Sequence, residues 1–262
     1  MDQKNNYFAV IFPCLFAIAL VLISQSIAPL GIHKIYYSNT KITDPNFIDR
    51  FYWEIYIFSC LFQMIIISIV LYHNKKDVKP RSIPITKRIA FSSIILIFFF
   101  SALSVLYLIL FEKLSDIFPN IAEKLTLYEE LMDFGEEMTT SQLLFISAIL
   151  APIVEELVFR RYLYCRCCYY LSPNYAIILS AFVFALIHFN FVQSGYAFFG
   201  GLVLTYIYRK TGSLLLCIGL HMMNNFLGFM PINAPILLVF LFSILASPWA
   251  IMNLQKIQAK DQ

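Results

Sequence analysis

Glu155-Glu156-x-x-x-Arg160, His188 and His221-x-x-x-Asn225 stand inside otherwise apolar stretches of this chain. A charge in such a place costs roughly 2.5–3.5 kcal/mol on insertion scales and usually serves function. Helix geometry sorts the first set. Glu156 and Arg160 are four apart with the acid first, the favourable order for an ion pair on one face. Glu155 is rotated about 100° away, cannot share that partner equally well, and is left facing something else. His221 and Asn225 are also four apart, so both project from one helix face. Pro152 withholds the N–H that would have bonded to Ala148, loosening the helix one turn before the pair. In a bilayer such a break is tolerated where it lines a protein-walled or wet cavity.

A carboxylate beside a histidine can hold and deprotonate a water, which is general-base activation of a nucleophile. A second histidine and an asparagine amide can donate to a developing oxyanion, usually the largest single term in acyl transfer. Together these parts suit hydrolysis of a peptide bond by activated water. No serine or cysteine has an evident base beside it; Cys217 stands four residues before His221, but packing explains it as well. Taken singly, each group has a bland explanation: a helix clamp for Glu156 and Arg160, interhelical hydrogen bonds for the histidines, Asn224 and Asn225. As a set on three different helices they point to one shared polar site.

The elements that must position this set are membrane helices. Of the 262 residues, 60% are hydrophobic and only 13% charged, about half the charge of a soluble domain. That composition excludes a cytosolic enzyme, a secreted disulfide scaffold and a disordered chain. A helix needs about 20 apolar residues to cross the hydrocarbon core. Stretches 7–32, 55–72 and 89–111 carry no charge and form spans one to three. Spans four, five and six follow at 143–159, 171–191 and 192–208. The uncharged stretch 211–255 is too long for one span and is divided by turn residues at 228–235 into a seventh and an eighth. The expected fold is therefore an all-α polytopic membrane protein, with about eight transmembrane helices enclosing an intramembrane polar cavity.

With that parity, 14 of the 19 basic residues share a side with both termini, which places both termini in the cytoplasm. The first span reads as a signal anchor, its apolar run being longer than a cleaved leader's core. The six cysteines lack zinc-finger spacing and read as reduced structural thiols. The segment 112–141, between spans three and four, holds eight acidic residues against two lysines. Its apolar positions Ile117, Ile121, Leu125, Tyr128, Leu131 and Met132 predict an amphipathic helix on the outer membrane face.

The motifs Glu155-Glu156-x-x-x-Arg160, Phe184-x-x-x-His188 and His221-x-x-x-Asn225, in that order, resemble those of the CAAX-protease and bacteriocin-processing (CPBP, or Abi) family. Pro152, Phe159 and the Tyr208–Ser213 segment match as well; Arg161 departs, since relatives often have glycine there. The resemblance covers about 143–229 and implies an intramembrane endopeptidase. It implies that Glu155 and His188 activate the water, that His221 and Asn225 stabilise the oxyanion, and that Glu156 and Arg160 support them. If zinc were bound, Glu155, His188 and His221 would be its ligands. There is no His-Glu-x-x-His helix, however, and the water mechanism works without metal, so no cofactor is required by this reading. The expected partners are a membrane-embedded or lipid-anchored protein or peptide substrate and the lipid bilayer, with no nucleic acid. The alternative from another class is a catalytically silent scaffold or bacteriocin-immunity protein of the same fold.

Three units follow: 1–142 with three spans and the acidic segment, 143–230 with the catalytic set, and 231–262 with the last span and a tail. Depth poses a problem for ideal straight helices. Glu155 then falls below the midplane and His188 above it, so tilt or an irregular turn near Pro152 must bring them together.

Overall fold

The computed structural model describes residues 7–40, 47–73, 78–132 and 138–257, and among them every regular element is helical. Lys4, Lys41, Lys75, Lys76 and Lys260, which enter the charge asymmetry, lie outside the described residues, as does the 133–137 part of the acidic segment.

In chain order the elements begin with α1 (Tyr7–Thr40), the short α2 (Phe47–Arg50), α3 (Tyr52–His73) and α4 (Lys87–Ser115). Next come α5 (Pro119–Met132) and α6 (Thr140–Leu144). A composite helix continues from α6 through a π-helical stretch (Phe145–Leu150), α7 (Ala151–Glu155), a second π-helical stretch (Glu156–Tyr164) and α8 (Cys165–Cys167). The chain ends with α9 (Pro173–Leu186), α10 (Phe191–Thr211), α11 (Leu214–Gly228) and α12 (Ala234–Gln255).

Among the described residues five helices are long and apolar enough to cross a membrane: 9–40, 52–73, 87–115, 140–167 and 235–255. They correspond to spans one to four and eight. The fifth and seventh segments are helices of 14 and 15 residues, roughly 21–23 Å long and short of the hydrocarbon thickness. The fifth ends at Leu186 instead of running to Phe191, because Phe189 takes a left-handed backbone (φ 50°) that turns the chain back into α10. The sixth, α10, has the length, but its glycines and polar residues keep it out of the apolar group. Much of α10 is buried against α9 and α4, so it meets protein where an outer helix would meet lipid. The separation of the last two helices falls at the expected turn residues, with Asn233 capping α12 through Ile236 N.

The main apolar cluster is drawn from α1, α3, α4, the composite helix, α9, α10, α11 and α12, and a small second one joins Ala28, Phe47 and Ile55. Close packing holds the main cluster together. Gly201 lies against Ala181, where even a Cβ would come within 3.0 Å of backbone. Outside this core the acidic segment forms α5, as its periodicity predicts, with Ile121, Leu125 and Tyr128 half-buried. The helix rests on α4 and α10. Ile117 departs from that face and is exposed. Two cavities of about 390 and 240 Å³ lie at this end of the molecule, at Phe118–Ile121 and between α4, α5 and Ile232. Neither is lined by any of the six candidate residues.

Candidate active site

The composite helix starts from a reciprocal cap: Thr139 accepts from Gln142 N, and Gln142 Oε1 accepts from Thr139 N. Five residues later it widens. The Ala151 N–H reaches back five residues to Ile146 O, the π-helical register. π-Helical turns are rare and are found mostly at functional sites. In that register the residue-152 N–H would meet the Ser147 carbonyl, and proline has none. Asn225 Nδ2 takes its place, donating to Ser147 O at 2.8 Å. The sequence assigned the loss at Pro152 to the Ala148 carbonyl; the shifted register moves it to Ser147 and makes that carbonyl the anchor for Asn225. A second π-helical stretch follows α7, and Ser180 of α9 donates to the Phe159 carbonyl within it at 2.9 Å. The irregular turn demanded by the depth argument is thus present on both sides of α7.

Glu156 and Arg160 are fully buried and paired at 2.8 Å between Oε1 and Nη1, as their spacing predicts. The same Oε1 also meets His221 Nδ1 at 2.8 Å. A carboxylate only accepts, so Nδ1 carries the proton there. His221 Nε2 then lies 3.5 Å from Glu155 Oε2, with the Glu155 side chain 20% exposed. His221 therefore bridges the two glutamates, a contact between helices that no spacing in the sequence announced. Glu155 is the member of the pair left accessible.

His188 sits just past the end of α9. Its backbone N–H bonds to Ala185 O, three residues back, which frees the Phe184 carbonyl. His188 Nδ1 donates to that carbonyl at 2.9 Å, since a carbonyl only accepts. Nε2 is thereby left as the basic nitrogen. His188 lies close enough to Glu155 and His221 to feel their charges, although no ion pair joins it to Glu155 among the described residues.

Phe184 is the residue whose part the sequence reading missed. Its ring meets His188 edge-on at 5.1 Å and His221 at 5.9 Å, and the Arg160 guanidinium lies 4.6 Å from its centre. One aromatic side chain thus spaces both histidines and covers the buried cation. The only signal for it was its place four residues before His188.

The six candidates are brought together, but in a different wiring. His221 pairs with the glutamates, and Asn225 with the π-helical backbone. Among the described residues no three of His, Cys, Asp and Glu converge as a metal site requires, so Glu155, His188 and His221 do not fit a bound zinc as they stand.

Residues 138–227 match the family model described as type II CAAX prenyl endopeptidase Rce1-like. No curated protein and no solved structure matches the chain. The matched segment contains all six candidate residues and bears out the family resemblance drawn from the three motifs. Helices α1 to α5 and α12 lie outside it.

Proposed function

We propose, from the premise that residues 138–227 follow the type II CAAX prenyl endopeptidase pattern, that this protein is an intramembrane endopeptidase acting by water activated between Glu155 and His188. Glu155 takes the proton of a water whose oxygen attacks the substrate carbonyl carbon, while His188 Nε2 accepts the water's other hydrogen. The negative charge then forms on the carbonyl oxygen, where the remaining Asn225 N–H donates to it, joined by the His221 Nε2–H when that ring carries a proton on both nitrogens. Collapse breaks the C–N bond; the proton held by Glu155 passes to the leaving amine, the water's second proton passes from the new carboxyl group to His188 Nε2, and the products are a carboxylate and an amine. Glu156 fixes the His221 ring through Nδ1, and Arg160 balances the Glu156 charge.

The observation that carries this reading is His221 held between two carboxylates of unequal exposure. The buried one orients the ring, and the accessible one is free to act on water. The substrate class follows the family description: a membrane-associated protein or peptide, with a prenylated CAAX end as the first to try. The active segment lies between helices able to cross a bilayer, which fits such a substrate.

The test is turnover of an internally quenched farnesylated CAAX peptide in detergent, comparing wild type with Glu155→Gln, each with and without extensive chelation. Cleavage by wild type that survives chelation and disappears in the variant is the expected result. Wild type without cleavage of any membrane peptide would favour a silent binding protein, and loss on chelation restored by zinc would make the histidines ligands. Both termini are assigned to the cytoplasm on the basic-residue asymmetry. Reporter fusions after Asp77 and after Glu130 should report cytoplasm and exterior respectively; a cytoplasmic signal at Glu130 would reverse that.

A further inference from the structure

A chain of side-chain hydrogen bonds runs from α4, outside the family match, to Asn225. Ser101 Oγ donates to Asn224 Oδ1 at 2.8 Å, and Asn224 Nδ2 to Asn225 Oδ1 at 3.3 Å. Asn225 Nδ2 in turn donates to the Ser147 carbonyl at 2.8 Å. Amides have two orientations, but here the last acceptor decides all of them. The Ser147 carbonyl can only accept, so Asn225 must face it with nitrogen. Asn225 Oδ1 then needs a donor, so Asn224 must turn its own nitrogen toward Asn225. Asn224 Oδ1 is left facing Ser101, whose hydroxyl is the donor it requires. Ser101 is buried and also lies 3.0 Å from the Ile97 carbonyl, the alternative acceptor for its single proton.

We propose that Ser101 and Asn224 are positioning residues that hold the Asn225 amide in one orientation, so that its remaining N–H is available to the oxyanion. This inference rests on the role given to Asn225 under the proposed function. It adds that a helix outside the matched segment completes the site. Neither residue touches substrate; both act through Asn225.

Ser101→Ala removes the donor and leaves Asn224 free to flip. The Ser147 carbonyl still restrains Asn225, so the loss is one hydrogen bond of orientation, a fall in kcat of roughly 2- to 10-fold with KM unchanged. Ser101→Thr keeps the hydroxyl and should restore kcat. Asn224→Asp keeps the acceptor for Ser101 but places an oxygen against Asn225 Oδ1, and should lower kcat at least as far as Ser101→Ala. The decisive measurement is a double-mutant cycle with Asn225→Ala on the farnesylated peptide. Ser101→Ala should have no further effect on kcat once Asn225 is gone. Effects that multiply, or a lowered melting temperature with kcat unchanged, would overturn the positioning role. If Ser101→Ala fails to fold, Asn224→Asp and Ser101→Thr run the same cycle. An Asn225→Ala variant with full kcat while Glu155→Gln is dead would sink this inference and spare the proposed reaction. Full turnover by Glu155→Gln would sink the reaction itself.

Discussion

Prolines inside the apolar helices of this protein meet different fates. Pro13 and Pro29 lie within α1, which remains α-helical from Tyr7 to Thr40, and Pro248 lies within α12, α-helical from Ala234 to Gln255. Pro152 lies between two π-helical stretches, beside the Glu155–Glu156 pair. The surroundings differ in kind. Between α1 and α3 Ser59 donates to Ser24 at 3.0 Å, and within α3 Gln63 donates to Ser59 at 3.3 Å, both contacts between neutral groups. Around Pro152 two carboxylates, a guanidinium and an imidazole are packed together, and side chains of α9 and α11 bond to carbonyls of the widened helix. A helix whose task is to span satisfies its backbone internally. In the segment that holds the candidate residues, the departures from α-register free backbone acceptors, and those acceptors become the anchors of Asn225 and Ser180.

The largest effect expected from this contrast is at Glu155. Glu155→Gln keeps size and hydrogen bonding but removes the base, and base catalysis contributes about 10²–10⁴-fold. With the activated water lost as well, turnover of the peptide should fall by at least about a thousandfold while the melting temperature is kept. A variant that melts early and still turns over would mean that the roles of the two glutamates are reversed.

Glu156→Gln should act on the fold as well as on turnover, because one oxygen serves both Arg160 and His221. Stranding a buried charge costs about 3–5 kcal/mol, so the melting temperature should drop clearly. Adding Arg160→Met should recover part of the stability but not full turnover, since a neutral amide oxygen then holds His221 in place of a carboxylate. Full recovery of turnover in the double variant would show that the charge on Glu156 does not matter to the reaction.

A smaller effect tests the comparison of prolines directly. Pro152→Ala returns an N–H that can compete for the Ser147 carbonyl, and turnover should fall roughly 2- to 10-fold, the value of one hydrogen bond. Pro29→Ala should leave turnover unchanged. Equal kinetic effects at the two positions would remove the special standing given to the π-helical turn.

Contacts within one helix were legible in the chain before any folding was considered. Glu156 and Arg160 pair because residues four apart share a helix face. The turn before α12, read from the turn residues at 228–235, is likewise a property of neighbouring residues. The clustering of ionisable groups into one site followed from their cost in an apolar setting, wherever the helices came to lie.

Tertiary structure alone decided the wiring. Whether His221 would meet Glu155, Glu156 or both depends on how α11 is rotated against the composite helix, and the π-helical turns change the angular relation that a 3.6-residue period assumes. The early end of α9 has a similar origin: only the left-handed Phe189, with Asn190 capping α10, converts an apolar run into two antiparallel helices and leaves His188 at the bend. Ser101 carried no signal at all, being one of five serines in a long apolar helix. Its partner is 123 residues away, and a hydrogen bond across that separation exists only once α4 and α11 have packed.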